Sequence, residues 1–439
     1  MKTVMRRAYA ALLAAALIVC GMALYTYRFA TDGADWASFS GNQAVYSSGV
    51  LQLGTLTDRS GVVLAKSADG VYSYADDYLT RVSCLHVVGD YGGSIGTGAL
   101  TAFADRLMGY SSLTGLADNG AEVALTIDSE LNAAAYEALA GRSGAIMVMN
   151  YQTGEILCMV STPAYDPNEG FDESDSAYDG VYINRCISAS YVPGSVFKLV
   201  TLAAAIENIP DLYEREFYCS GSVQVGDNTV TCTGTHGSQT VEQALANSCN
   251  CAFAEISLEL GGSVIGEYAE KLGFCSELDL NGITVKSGSF DVDDSGSSYT
   301  AWSGIGQYND LVTPYAMLRY VAAIAGGGTA PEPTLLLGES GGTAKLLSAE
   351  TAEAIGEMMS YAMTYSYGEA TFPGLALCAK SGTAEVGDGT SHSWFTGYLT
   401  DSEHPYAFVV LIEHGGSGLR NAGAAANTVL QAAVAREYD

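Results

Sequence analysis

The chain of 439 residues has room for two to three domains, and its 48% apolar content is ordinary for a folded protein, although 51 glycines and only seven lysines are not. A formal net charge of −30 repels phosphate backbones and excludes nucleic acid as a partner. The acidity suits a soluble domain outside the cell and equally an acidophilic or halophilic host, so composition leaves both open.

Between Arg7 and Arg28 run twenty uncharged residues, AYAALLAAALIVCGMALYTY, enough to cross a bilayer as one helix. Lys2, Arg6 and Arg7 precede them, so the positive-inside tendency makes residues 1–28 a cytoplasmic tip and transmembrane anchor and puts the rest of the chain outside the cell membrane. The rival is a cleaved signal peptide, for which GMA offers small residues. Lipid attachment at Cys20 is disfavoured by the bulk of Val19. Residues 29–120 follow as a short N-terminal module rich in Ser, Gly and Tyr, with strand-like pieces in GVLQLGTLTDRSGVVLA and a closing linker in GYSSLTGLADNGAE.

From residue 121 to 439 the pattern changes. VALTIDSELNAAAYEALAG reads as strand, cap and helix, and SGAIMVMNYQTGEILCMVS as a hairpin. Helical periods follow around Ser195, from Val241 to Leu260 and from Leu347 to Ala362. Near the end ALCAKSGTAEV, HSWFTGYLT and YAFVVLIEHG read as three strands and NAGAAANTVLQAAVARE as a closing helix. Adjacent short strands with helices before and after predict an α+β domain, an antiparallel sheet flanked by helices.

Ten cysteines in an exported chain permit disulfides. In FYCSGSVQVGDNTVTCTGTHG, GDN can turn a hairpin and bring Cys219 and Cys232 close enough to bridge, with Cα atoms less than about 7 Å apart. Adding His236, Cys249 and Cys251 would make a zinc set, but the spacings match no compact ligand pattern, and neither a metal nor any other cofactor is expected.

The stretch YVPGSVFKLVTLAAAIE places Ser195 and Lys198 one turn apart at the mouth of a helix. A lysine on a mostly apolar helix loses hydration, which lowers its pKa and makes it a base beside the serine hydroxyl. A capping serine followed by a snorkelling lysine fits the same stretch. Two other stretches offer partners: ANSCNCAFAEI, with Ser248 and Asn250, and AKSGTAEV, with Lys380, Ser381, Gly382 and Thr383. Together they read S-x-x-K, S-x-N and K-S-G in that order, the set of serine acyltransferases that act on penicillin and cell-wall peptides. A second K-S-G, in VKSGSF at Lys286, runs into DVDDSGSS, which looks like a loop and receives no role.

With these residues in place the chain resembles a class B penicillin-binding protein, a monofunctional peptidoglycan D,D-transpeptidase. DRSG from Asp58, TGEILCMVSTPAYDPN, NRCISASYVPGSVFKLVT, SGIGQYNDLVTPYAM and HSWFTGY carry the likeness in order, from about Gly54 to the C-terminus. Ser381 departs from the threonine of many relatives, and Cys249 and Cys251 stand on either side of Asn250 in the S-x-N site. The resemblance implies that Ser195 attacks the penultimate D-Ala of a stem pentapeptide, with Lys198 as base, Ser248 as proton relay and Lys380 as an electrostatic anchor. It implies that Asn250, Ser381 and Thr383 bind substrate, that the backbone N–H groups of Ser195 and Thr383 form the oxyanion hole, and that Gly382 leaves room for substrate. Implied partners are peptidoglycan stem peptides, β-lactams and a polytopic membrane glycan polymerase.

Three rivals remain. GGSIG, Gly92 to Gly96, matches a nucleophile elbow after the strand-like LHVV, but no acid and histidine pair follows convincingly around His392, His404 or His414. A β-lactamase or β-lactam sensor shares the trio, and a non-catalytic cell-wall scaffold shares the fold. Trp394 and Phe395 are expected in the core rather than against substrate.

Overall fold

The computed structural model describes residues 2–38, 53–68, 71–110, 120–291, 294, 297–436 and 438. Most of the expected linker, residues 111–119, therefore lies outside the described residues. Helix α1, Lys2–Ser38, is one continuous helix, and its Val4–Gly33 stretch is apolar enough to cross a membrane.

Four short strands form the N-terminal sheet: β1 Thr55–Thr57, β2 Val63–Ala68, β3 Val71–Tyr74 and β4 Glu122–Ala124, in the order β3-β2-β1-β4. Its fourth strand comes from beyond residue 120, so the backbone of residues 122–124 is hydrogen-bonded into the N-terminal sheet. LHVV is helical, Leu85–Val88, rather than a strand, because His86 is buried with Nε2 against the Val181 carbonyl and the four residues close one turn. Ser94 then lies in an exposed loop whose N–H donates to Asp90, far from any nucleophile elbow geometry of strand, turn and helix.

The larger sheet has five antiparallel strands: β5 Gly144–Asn150, β6 Ile156–Thr162, β11 Leu377–Glu385, β12 Ser391–Leu399 and β13 Tyr406–Ile412, in the order β11-β12-β13-β5-β6. Strands β7 (Phe217–Cys219), β8 (Ser222–Val225), β9 (Asn228–Thr231) and β10 (Gly237–Gln239) form the hairpin region described below. Period-2 alternation sends Ile146 and Val148 to one face, where α2 (Ser129–Leu139) and α8 (Ala424–Val434) pack, and Met147 and Met149 to the other, where α6 (Pro314–Ala325) packs. Asp128 caps α2 through its carboxylate, as the sequence predicts. The expected antiparallel sheet with flanking helices is what forms.

Two helices carry the serines. Helix α3, Lys198–Asn208, is buried over its first eight residues, and the chain enters it through a single 3-10 turn, Gly194–Val196. The helical period from Val241 to Leu260 is broken into α4 (Val241–Ala246) and α5 (Asn250–Leu260), with Ser248 between them at φ +51°. α7, Ala349–Ala362, starts on its Ser348 cap.

Candidate active site

A cavity of about 430 Å³ opens between the Ser195 turn, the α4–α5 break and the edge strand β11. Ser195 lines it, half-buried, one turn ahead of the fully buried Lys198. Three features of the backbone bring these pieces together. Gly194 adopts φ +55°, and a Cβ there would lie 2.9 Å from the Thr383 carbonyl, so the turn abuts the edge strand. The α4–α5 break lets Ser248 point back towards α3 rather than along a helix face. β11 is a sheet edge, so its outward groups are free to face the cavity.

The Ser248 hydroxyl sits between two amines. Lys198 Nζ donates to Ser248 O at 2.7 Å and to Ser248 Oγ at 3.3 Å, and Lys380 Nζ donates to Ser248 Oγ at 3.0 Å and to Ser381 O at 2.9 Å. Burial pushes the Lys198 amine down to about 7, helped by the positive charge of Lys380; burial alone does the same for Lys380. Two half-neutral amines around one hydroxyl make a chain along which a proton can move. Lys198 and Lys380 are thus both hydrogen-bonded to Ser248, and Ser248 lines the same cavity as the fourth proposed catalytic residue, Ser195.

The substrate-side residues divide. Ser381 Oγ meets Tyr367 OH at 3.0 Å, and Ser381 N–H donates to the same phenol at 2.9 Å. That N–H points off the sheet edge, so by the strand period the N–H of Thr383 points the same way, towards the Ser195 turn. Thr383 Oγ1 accepts from Gly418 N–H at 3.1 Å and lies on the cavity wall. Asn250 is already engaged: Oδ1 accepts from Lys198 at 2.8 Å and Nδ2 donates to Thr231 O at 2.8 Å, so it orients the lysine as well as facing the cavity. Gly382 corrects an expectation. A Cβ there would meet Pro193 O at 3.0 Å and Val196 Cγ1 at 3.1 Å, so the missing side chain makes room for the Ser195 turn, not for substrate.

Lys286 is exposed after a two-stranded ribbon and is absent from the cavity wall. Trp394 and Phe395 are fully buried, and Trp394 Nε1 donates to Val192 O, as expected of core residues. Sequence reasoning gave no role to Tyr367, which ends a π-helical turn before Gly368, to Trp302, or to Gln307, although Gln307 stands in the quoted SGIGQYNDLVTPYAM stretch.

The cysteines form a wider cluster than the expected pair. GDN does turn the hairpin of β8 (Ser222–Val225) and β9 (Asn228–Thr231), between β7 (Phe217–Cys219) and β10 (Gly237–Gln239). Cys219 and Cys232 are brought close, their sulfurs within 4.8 Å though not bonded, and Cys232 Sγ is also 3.8 Å from Cys249 Sγ.

Comparison with known proteins follows the same lines. The chain is 26% identical to the peptidoglycan D,D-transpeptidase PbpA of Mycolicibacterium smegmatis, over 97% of this chain and 96% of that one. It superimposes on the D,D-transpeptidase domain of a peptidoglycan glycosyltransferase from Eggerthella lenta with a TM-score of 0.75 and 29% identity, covering 87% and 98% of the two chains. The fold is shared, at a TM-score of 0.72 and 23% identity over 87% and 99% of the chains, with the penicillin G acyl-enzyme complex of penicillin-binding protein A from M. tuberculosis. Residues 144–434 match the penicillin-binding protein transpeptidase domain, and the chain belongs to that family.

Proposed function

We propose that this protein is a serine-type peptidoglycan D,D-transpeptidase that cross-links stem peptides through an acyl-enzyme on Ser195 and is acylated there by β-lactams. The observation that carries the reading is the single Ser248 hydroxyl shared by Lys198 and Lys380 on the wall of the cavity that holds Ser195. Neutral Lys198 takes the Ser195 proton as Oγ attacks the carbonyl of the penultimate D-Ala. The developing oxyanion is held by the N–H groups of Ser195 and Thr383, where one donor is worth roughly 3 kcal/mol. Ser248 passes a proton to the departing D-Ala nitrogen, the C–N bond breaks, and an ester remains on Ser195. The amine of a second stem then displaces Ser195 Oγ, which recovers its proton. Charged Lys380, with the hydroxyls of Ser381 and Thr383, draws the terminal carboxylate, and the remaining N–H of Asn250 meets the stem amide.

The chain is read as residues 1–28 anchoring it, 29–120 as a pedestal and 121–439 as the catalytic domain outside the membrane. The anchor is the natural contact for a polytopic glycan polymerase. Labelling with a fluorescent penicillin tests the chemistry. Label is expected on the peptide bearing Ser195, lost in Ser195→Ala and retained in Lys286→Ala; a labelled peptide without Ser195 would overturn the reading, and fast release of label would favour a β-lactamase.

A further inference from the structure

We propose that Cys219, Cys232, His236 and Cys249 form a structural zinc site that holds the S-x-N turn in place. The four ligand atoms all lie within 4.8 Å of one another. Tetrahedral Zn²⁺ with Zn–S near 2.3 Å and Zn–N near 2.0 Å requires S···S edges of about 3.8 Å and S···N edges of about 3.5 Å. The Cys232–Cys249 sulfur pair is 3.8 Å apart, and Cys232 Sγ is 3.6 Å from His236 Nδ1. Three sulfurs and one imidazole suit Zn²⁺ in charge and softness.

The spacing is C-x₁₂-C-x₃-H-x₁₂-C, which looks unlike a compact finger because both long gaps are folded away. The first gap is the β8–β9 hairpin; the second is β10 and α4. Their ends meet because β7 pairs with β10 and Cys249 sits at the N-cap position of α5, its side chain making no capping bond. The surroundings are already arranged for thiolate: the Asn250 N–H donates to Cys232 Sγ at 3.2 Å, a backbone bond of the kind that steadies a metal-bound sulfur. Cys251 neighbours Cys219 and Cys232 but is not in the four-atom cluster, so it serves as a control.

Cys249 is the middle residue of S-x-N, and Cys232 directly follows β9, whose Thr231 carbonyl holds Asn250. The metal would therefore cross-link the hairpin to the turn that presents Ser248 and Asn250. Binding releases the protons of the three thiols to solvent and needs no oxidant.

The full chain, purified in detergent under reducing conditions, should contain one zinc per chain by elemental analysis. Co²⁺ exchanged for zinc should give the intense d–d bands of a tetrahedral site and a thiolate-to-cobalt charge-transfer band. Cys232→Ser and Cys249→Ser should lose the metal, and Cys251→Ala should keep it. Zinc-free protein that takes up no Co²⁺, metal retained in the Cys232→Ser/Cys249→Ser double variant, or a Cys232–Cys249 disulfide in freshly isolated protein would each overturn the site. Chelation should slow penicillin acylation by about 10- to 100-fold through misplacement of the turn. This last readout alone rests on the transpeptidase reading. Zinc present with acylation unchanged after its removal would overturn the positioning role and leave the ligand assignment standing.

Discussion

Lys198 is fully buried, and its amine donates to the Ser248 carbonyl and hydroxyl and the Asn250 amide oxygen, uncharged acceptors that do not offset the cost of burying its charge. Its pKa near 7 means that the neutral base accumulates as pH rises through neutrality. Lys380, lowered to about 7 as well, loses its attraction for a carboxylate over the same range. Acylation by a carboxylate-bearing β-lactam should therefore follow a bell centred near pH 7, its two limbs belonging to the amine pair rather than to either lysine. A rate that climbs steadily to pH 10 would show that neither amine is depressed. Lys198→Ala should remain folded yet acylate about 10²- to 10⁴-fold more slowly, read by stopped labelling reactions. Because the unfolded chain holds these protons up to about 10.5 and the folded one does not, folding stability should also rise with pH above about 7.

At the scale of elements, catalysis depends on how closely the Ser195 turn approaches the edge strand β11. Gly382 sets that distance, since a methyl group there would press on Pro193, Val196 and Trp394. Gly382→Ala should destabilise the fold by about 1–3 kcal/mol through overpacking and slow acylation more than its stability loss explains, because Thr383 and Ser195 are pushed apart. Gly96→Ala, in the exposed loop with open space around its Cβ and no unusual φ, should leave both properties unchanged. Equal effects of the two substitutions, measured by thermal melts and labelling rates, would remove the close-approach argument. The break between α4 and α5 belongs to the same scale: apolar periodicity runs through it, yet Ser248 takes a left-handed backbone conformation that no period announces.

Over the whole molecule, the DRSG stretch joins the N-terminal sheet to the larger domain. Buried Asp58 accepts N–H groups of Ser60 and Val62 with one oxygen and both the N–H and hydroxyl of Ser129, at the start of α2, with the other. Asp58→Ala would orphan these donors beneath the surface and should cost about 2–4 kcal/mol, seen as a lowered melting temperature, with near-normal acylation in the protein that stays folded. A melting temperature equal to that of the parent would show that the two parts are held together elsewhere.

Much of the site was legible in the chain itself. Ser195, Lys198, Ser248, Asn250 and Lys380 to Thr383 stand in ordered short motifs, and the three last strands and their helix announce themselves by apolar period, because local spacing and burial pattern are properties of neighbouring residues. What spacing cannot carry is contact between segments far apart in sequence. Only the folded chain placed one hydroxyl between two lysines 182 residues apart, as their numbers 198 and 380 give. Only it filled the Gly382 gap with the serine turn, brought Tyr367 to Ser381, and gathered Cys219, Cys232, His236 and Cys249 around one point, a set whose spacing in the sequence had argued against a metal. In each case the deciding term is tertiary: strand pairing and close packing choose the partners, and burial then sets their chemistry.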